Sequence, residues 1–107
     1  CEFSAHTDTV DGDGQTPLIC ASGHGHLDVV RMLCEHGANK DSADSEGQTP
    51  LICASANSHL EVVRLLCELG ADRDRADGEG RTPLVCAAGQ GNLEVVRVLC
   101  EHGSSLL

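Results

Sequence analysis

A period of 33 residues constrains this chain more than any other feature: Thr16-Pro17-Leu18 returns as Thr49-Pro50-Leu51 and as Thr82-Pro83-Leu84. Gly37, Gly70 and Gly103 keep the same step, as do Asp11, Asp44 and Asp77. Between residues 11–43 and 44–76 about two-thirds of positions are identical. A fixed period of this length marks a stacked array, whose units are too small to bury an apolar face alone and pack on their neighbours. The 107 residues then divide into a partial N-terminal repeat or cap (1–10), two full units (11–43 and 44–76) and a third unit (77–107) truncated and without a C-terminal cap. Cys1-Glu2 and Ala5 repeat Cys34-Glu35 and Ala38 one period earlier. Residues 1–10 are therefore expected to be the end of an earlier unit, cut from a longer array or serving as a cap.

Each full unit is built from the same local signals. Asp-x-x-Gly, at Asp11 to Gly14, Asp44 to Gly47 and Asp77 to Gly80, is turn chemistry. The Thr that follows can cap a helix with its hydroxyl, and Pro suits the first helical position. First helices are predicted over Pro17 to Gly23, Pro50 to Ala56 and Pro83 to Gly89. Gly25 and Gly91 end them in a left-handed residue. Ser58 holds that place in the middle unit and is expected to be strained there. Second helices are predicted over Leu27 to Glu35, Leu60 to Glu68 and Leu93 to Glu101, with Asp28, Glu61 and Glu94 in the first turn and Gly37, Gly70 and Gly103 as stops.

Composition agrees with a thin stack. Phe3 is the one aromatic residue, and the apolar positions hold Leu, Val, Ile, Ala and Cys. The formal net charge of −10 disfavours nucleic acid and anionic lipid. No apolar run approaches ~18 residues, so no membrane span is expected. The start carries no signal-peptide pattern.

The pattern Asp-x-x-Gly-x-Thr-Pro-Leu-x-x-Ala, then His-Leu-Asp/Glu-Val-Val-x-x-Leu and Gly-Ala-x, resembles the ankyrin repeat. The resemblance covers residues 11–107, with residues 1–10 as a partial repeat. It implies an all-α solenoid: helix-turn-helix units with β-hairpin fingers, stacked into a curved array. It also implies a non-enzymatic scaffold that binds a protein partner. The family usually carries His after Thr-Pro-Leu, where this chain has Ile19, Ile52 and Val85. Cys34, Cys67 and Cys100 stand at the last leucine of the second helix, and Asp41 and Asp74 replace the finger's usual Asn.

The remaining candidate chemistry reads as structural. All seven cysteines fall at two repeat positions: Cys20, Cys53 and Cys86, and Cys1, Cys34, Cys67 and Cys100. No Cys-x-x-Cys pair occurs, which argues against zinc. An odd count at leucine positions suggests buried, reduced thiols, hence an intracellular, cytoplasmic compartment. His26 and His59 match the family's structural His, while His24, His36 and His102 read as surface residues and His6 lies in the partial unit. Arg31, Arg64 and Arg97 each precede a Glu by four (Glu35, Glu68, Glu101), an arrangement expected to give exposed ion pairs of ~0.3 kcal/mol each. Gly12-Asp13-Gly14 lacks the later carboxylates of a calcium loop, and no glycine run makes a phosphate cradle. No catalytic, cofactor or metal residues are assigned.

A partner would bind along the concave side, on finger tips and the outer face of the first helices. The candidate residues are Asp13, Gln15, Ser45, Glu46, Gln48, Glu79 and Arg81 on the fingers, with His24, Asn57 and Gln90 on the first helices and His36 and Leu69 after the second. The competing reading is an engineered or structural scaffold without a native ligand in this segment. Self-association through the uncapped C-terminal end is a further expectation, with Val95, Val98 and Leu99 as the surface left uncovered.

Overall fold

A computed structural model of the protein describes residue 12 and residues 14–104, the last three as backbone only. The partial unit at 1–10, Asp11 and Asp13 therefore lie outside the described residues. Six helices follow in order: α1 (Pro17–His24), α2 (Leu27–Glu35), α3 (Pro50–Ala56), α4 (Leu60–Glu68), α5 (Pro83–Gln90) and α6 (Leu93–Ser104). The architecture is an all-α repeat solenoid. Among the described residues no β-strand forms, and the fingers between helix pairs are turns.

The start signals act as the sequence predicts. Thr16, Thr49 and Thr82 are extended, and each Oγ1 accepts from the amide three residues on: Ile19 at 3.1 Å, Ile52 at 3.2 Å and Val85 at 3.2 Å. Each bond satisfies one of the amides that a helix start leaves without an internal partner. Gly25 (φ 77°), Ser58 (φ 63°) and Gly91 (φ 70°) are left-handed where the first helices stop. α2 and α4 end on Gly37 and Gly70 at φ 90° and 89°, after which Ala38 and Ala71 are buried and donate back to Leu33 O and Leu66 O, both at 3.0 Å. The third unit departs from this rule. α6 runs through Gly103 to Ser104 rather than stopping at Glu101, and Ser stands there in place of the alanine that anchors the other two stops.

Helices stack in two layers: α1, α3 and α5 in one, α2, α4 and α6 in the other. Leu18, Ile19, Leu51, Ile52, Val62, Val63 and Leu66 are fully buried between successive pairs. Each such side chain contributes about 1.5–3 kcal/mol of burial, so adhesion between units, not any single unit, supplies the core. Val95, Val98 and Leu99 are buried as well, contrary to the expectation that the last unit leaves them open. They belong to the face of α6 that looks back toward α4 and α5, both of which pack against it.

Candidate functional site

Each of the two fingers whose aspartate is described is organised by that residue. Asp44 Oδ1 accepts from the amides of Glu46 and Gln48, both at 2.9 Å, and its own amide donates to Gln48 O at 3.0 Å. Asp77 repeats this with Glu79 (2.8 Å), Arg81 (3.0 Å) and Arg81 O (2.9 Å). Its carboxyl sits below the ordinary aspartate value because the Arg81 amide, then the Glu79 amide and the Arg81 guanidinium, favour the charged form against the cost of burial. Successive fingers touch: the Gly78 amide donates to Glu46 O at 2.8 Å. Gly47 (φ 81°) has to be glycine, since a Cβ there would lie 2.7 Å from Gly78 N.

Side chains fasten the fingers further. Gln15 Nε2 donates to Asp44 Oδ2 at 2.6 Å. In the next finger Arg81 reaches back within its own unit to Asp77 Oδ2, with Nε at 3.1 Å and Nη2 at 3.0 Å, and also pairs with Glu79 Oε1 at 3.0 Å. Two open clefts result, in the same register of the repeat. One, about 230 Å³, is lined by Gln15, Asp44, Ser45 and Glu46; the other, about 240 Å³, by Glu46, Gln48, Asp77, Gly78, Glu79 and Arg81. Glu46 lines both.

The candidate residues thus sort by what they do. Ser45, Glu46, Glu79, Arg81, His24, Asn57, Gln90, His36 and Leu69 are exposed, and Gln15 and Gln48 are half-buried. Gln15, Gln48, Glu46, Ser45, Glu79 and Arg81 come together at the clefts; His36 and Leu69 end the second helices and line neither. Asn57 Nδ2 and His59 Nε2 both donate to Gly23 O at 3.0 Å, so Asn57 ties two units together. The sequence reading missed Asp44 and Asp77 as lining residues by taking them for turn formers alone. It also missed Asp41, whose Oδ1 accepts from Asp72 N at 2.9 Å and whose carbonyl accepts from Arg75 Nη1 at 2.7 Å. The signal was available: this is the finger position where the family's Asn is replaced.

Expectations for the cysteines need correction. The six described thiols are free, but Cys67 alone among them is buried; Cys20 and Cys100 are exposed, and Cys34, Cys53 and Cys86 lie between. The Cys20 and Cys53 thiols point toward the fingers, 3.6 Å from Gln15 Oε1 and 3.8 Å from Gln48 Oε1. Burial first, then Asp44 and the neighbouring thiols of Cys20 and Cys86, push Cys53 up to about 12. Among the described residues no three His, Cys, Asp or Glu side chains converge as metal ligands. The Arg31–Glu35 and Arg64–Glu68 pairs do not form; the ion pairs between described residues are those of Arg81.

A family model described as ankyrin repeats (3 copies) matches residues 1–77 and again residues 45–106. The chain belongs to the ankyrin repeat family. Ankyrin repeats are generally protein–protein interaction modules, and the family is generally non-enzymatic. A comparison with curated protein sequences gives no significant match. No helix among the described residues of this ankyrin array is long and apolar enough to cross a membrane.

Proposed function

We propose that this chain is a non-enzymatic module that holds a protein partner along the concave side of its array. The binding surface comprises Gln15, Ser45, Glu46, Gln48, Glu79 and Arg81 on the fingers and His24, Asn57 and Gln90 on the inner helices, with His36 and Leu69 after the second helices; Asp13, counted with the fingers from the sequence, lies outside the described residues. The observation that carries this reading is the pair of clefts in repeat register that share Glu46. A partner segment running across the fingers meets the same acceptor-rich geometry at each step. Asp44, Glu46, Asp77 and Glu79 give that path a negative potential, which suits a partner segment with Lys or Arg at intervals. The free thiols suit a reducing, intracellular setting. With no Trp or Tyr in the chain, affinity rests on polar complementarity rather than aromatic anchors.

The test is a quantitative pull-down with the intact chain and a Glu46→Arg/Glu79→Arg variant, both checked for an unchanged helical spectrum. Binding by the intact chain and a loss of at least about tenfold in the variant is expected, since like charges across an interface are costly. Equal binding by both overturns the concave-side reading. Absence of any specific binder favours the scaffold without a native ligand.

A further inference from the structure

Gln15, Gln48 and Arg81 occupy one repeat position, at the end of successive fingers, and their side chains are used differently. Gln15 engages both ends of its carboxamide: Oε1 accepts from the Cys20 thiol at 3.6 Å, and Nε2 donates across the junction to Asp44 Oδ2 at 2.6 Å. Gln48 keeps the first contact, with Oε1 at 3.8 Å from Cys53 Sγ. That placement turns its Nε2 toward the next finger, as in Gln15. The matching oxygen there, Asp77 Oδ2, already holds Arg81 Nε at 3.1 Å and Nη2 at 3.0 Å. Asp44 is free to take Gln15 because its own finger ends in neutral Gln48, which brings no cation back onto it.

Arg81 therefore leaves unspent polar groups in the cleft of about 240 Å³ that it lines with Glu46 and Gln48. Gln48 Nε2 and Arg81 Nη1 are donors with no partner among the described residues, and the Glu46 carboxylate is an acceptor with none. Asp77 is saturated, with two amides on Oδ1 and the guanidinium on Oδ2. Charge disfavours an ionic guest: a cation meets the Arg81 guanidinium, and a carboxylate meets Glu46 and Glu79. A neutral side chain with both an acceptor and donors suits all three open groups, and the carboxamide of Asn or Gln is such a group. The cleft lined by Gln15, Asp44, Ser45 and Glu46 has no such cation, and its glutamine amide is spent on Asp44.

We propose that the cleft between Glu46 and Arg81 recognises an Asn or Gln side chain of the protein partner, and that Arg81 is the residue that sets this specificity. The proposal rests on the reading that a partner lies along the fingers, and it refines that reading at one step. The guest's carboxamide oxygen accepts from Gln48 Nε2 and Arg81 Nη1, and its NH2 donates to Glu46. A partner Lys or Arg is thereby confined to the neighbouring cleft, where Asp44 and Glu46 face it without a guanidinium alongside. Two clefts in one repeat register thus read two different side chains.

The probe is a phage-displayed library of random peptides, selected on the full chain, on Arg81→Gln and on Glu46→Arg/Glu79→Arg. Arg81→Gln gives the third finger the residue that ends the other two, and it frees Asp77 Oδ2 for Gln48; thermal melts verify that each variant folds. Peptides selected by the parent chain are expected to share an Asn or Gln. Changing that residue to Lys or to Glu weakens binding to the parent at least about tenfold, because either charge meets its like in the cleft. Against Arg81→Gln the Lys peptide recovers, an exchange of preference that a merely damaged finger would not produce. The peptide series on the parent chain decides the matter even where a variant is unstable. Peptides that are lost on Glu46→Arg/Glu79→Arg but carry no Asn or Gln, or tolerate its change to Lys, overturn the proposal and leave the concave-side reading standing. Selected peptides indifferent to every variant, or no enrichment at all, overturn both.

Discussion

The middle and the last helix pairs have nearly the same sequence and unlike surroundings. Leu51 and Leu84 occupy one repeat position, as do Ile52 and Val85, yet the first of each pair is sealed and the second is open to solvent. Cys67 is buried and its copy Cys100 is exposed. Burial in such an array is therefore a property of the neighbour rather than of the residue, as expected when stability is the sum of unit and interface terms. The sharpest way to break this comparison is to truncate both leucines. Leu51→Ala is expected to cost about 2–5 kcal/mol, the range for a fully buried leucine, whereas Leu84→Ala should stay within about 1 kcal/mol. Urea unfolding at low protein concentration measures both. Equal losses would mean that the last pair is covered as well as the middle one.

The thiols give the same comparison as a rate. A thiol reacts as its thiolate, so accessibility and acidity multiply. With a disulfide reagent at neutral pH, the exposed Cys20 and Cys100 are expected to label first. Cys34, Cys53 and Cys86 should follow, each slowed by a thiol pushed above its ordinary value chiefly through burial. Cys67 is both buried and raised and should label last, at the rate of local opening. Labelling of Cys53 should climb as pH approaches its raised value, because only there does its thiolate accumulate. Site-resolved mass spectrometry reads the order. Cys67 reacting as fast as Cys100 would contradict the difference between interior and end.

What the sequence disclosed was whatever depends on local chemistry. The threonine caps, the prolines at the first helical position, the aspartate turns and the left-handed Ser58 all formed as the motifs predict, because their partners lie within four residues. Features set by the neighbouring unit were harder to read. The cysteines at leucine-like positions looked buried, but those at Cys20 and Cys100 lack cover. Gly103 looked like a stop, but its counterparts stop their helices with help from a buried alanine one residue on. Ser22 and Ser55 are sealed with hydroxyls that lack any hydrogen-bond partner, and nothing in the repeat pattern marked them. In the candidate site, the repeat register picked out the exposed finger positions. It did not show that Gln15 and Asn57 spend their polar groups on fastening one unit to another, or that Arg81 turns back onto Asp77 and Glu79 of its own finger, since both depend on geometry in three dimensions.

The smallest expected effect concerns the turn between the paired helices, where Gly25, Ser58 and Gly91 are all left-handed. Gly25 is confined from outside: a Cβ there would fall 2.5 Å from His59 Nδ1, and that ring is held in place by Gly23 O. One unit on, the residue matching His59 is Asn92, which instead caps α6, its Oδ1 accepting from Val95 N at 3.2 Å. A side chain is thus sterically excluded at Gly25 but present at Ser58, where the remaining cost is the conformation itself. A left-handed non-glycine residue costs about 1–2 kcal/mol, and glycine returns about 0.4–1 kcal/mol of that through the greater freedom of the unfolded chain. Ser58→Gly is therefore expected to stabilise the protein by about 0.5–1 kcal/mol, while Gly25→Ser, strained and in collision with His59, should destabilise it by more than that. Thermal and urea melts of the two variants give the comparison. A lower melting temperature for Ser58→Gly would show that the serine hydroxyl contributes more to the folded state than its backbone strain removes.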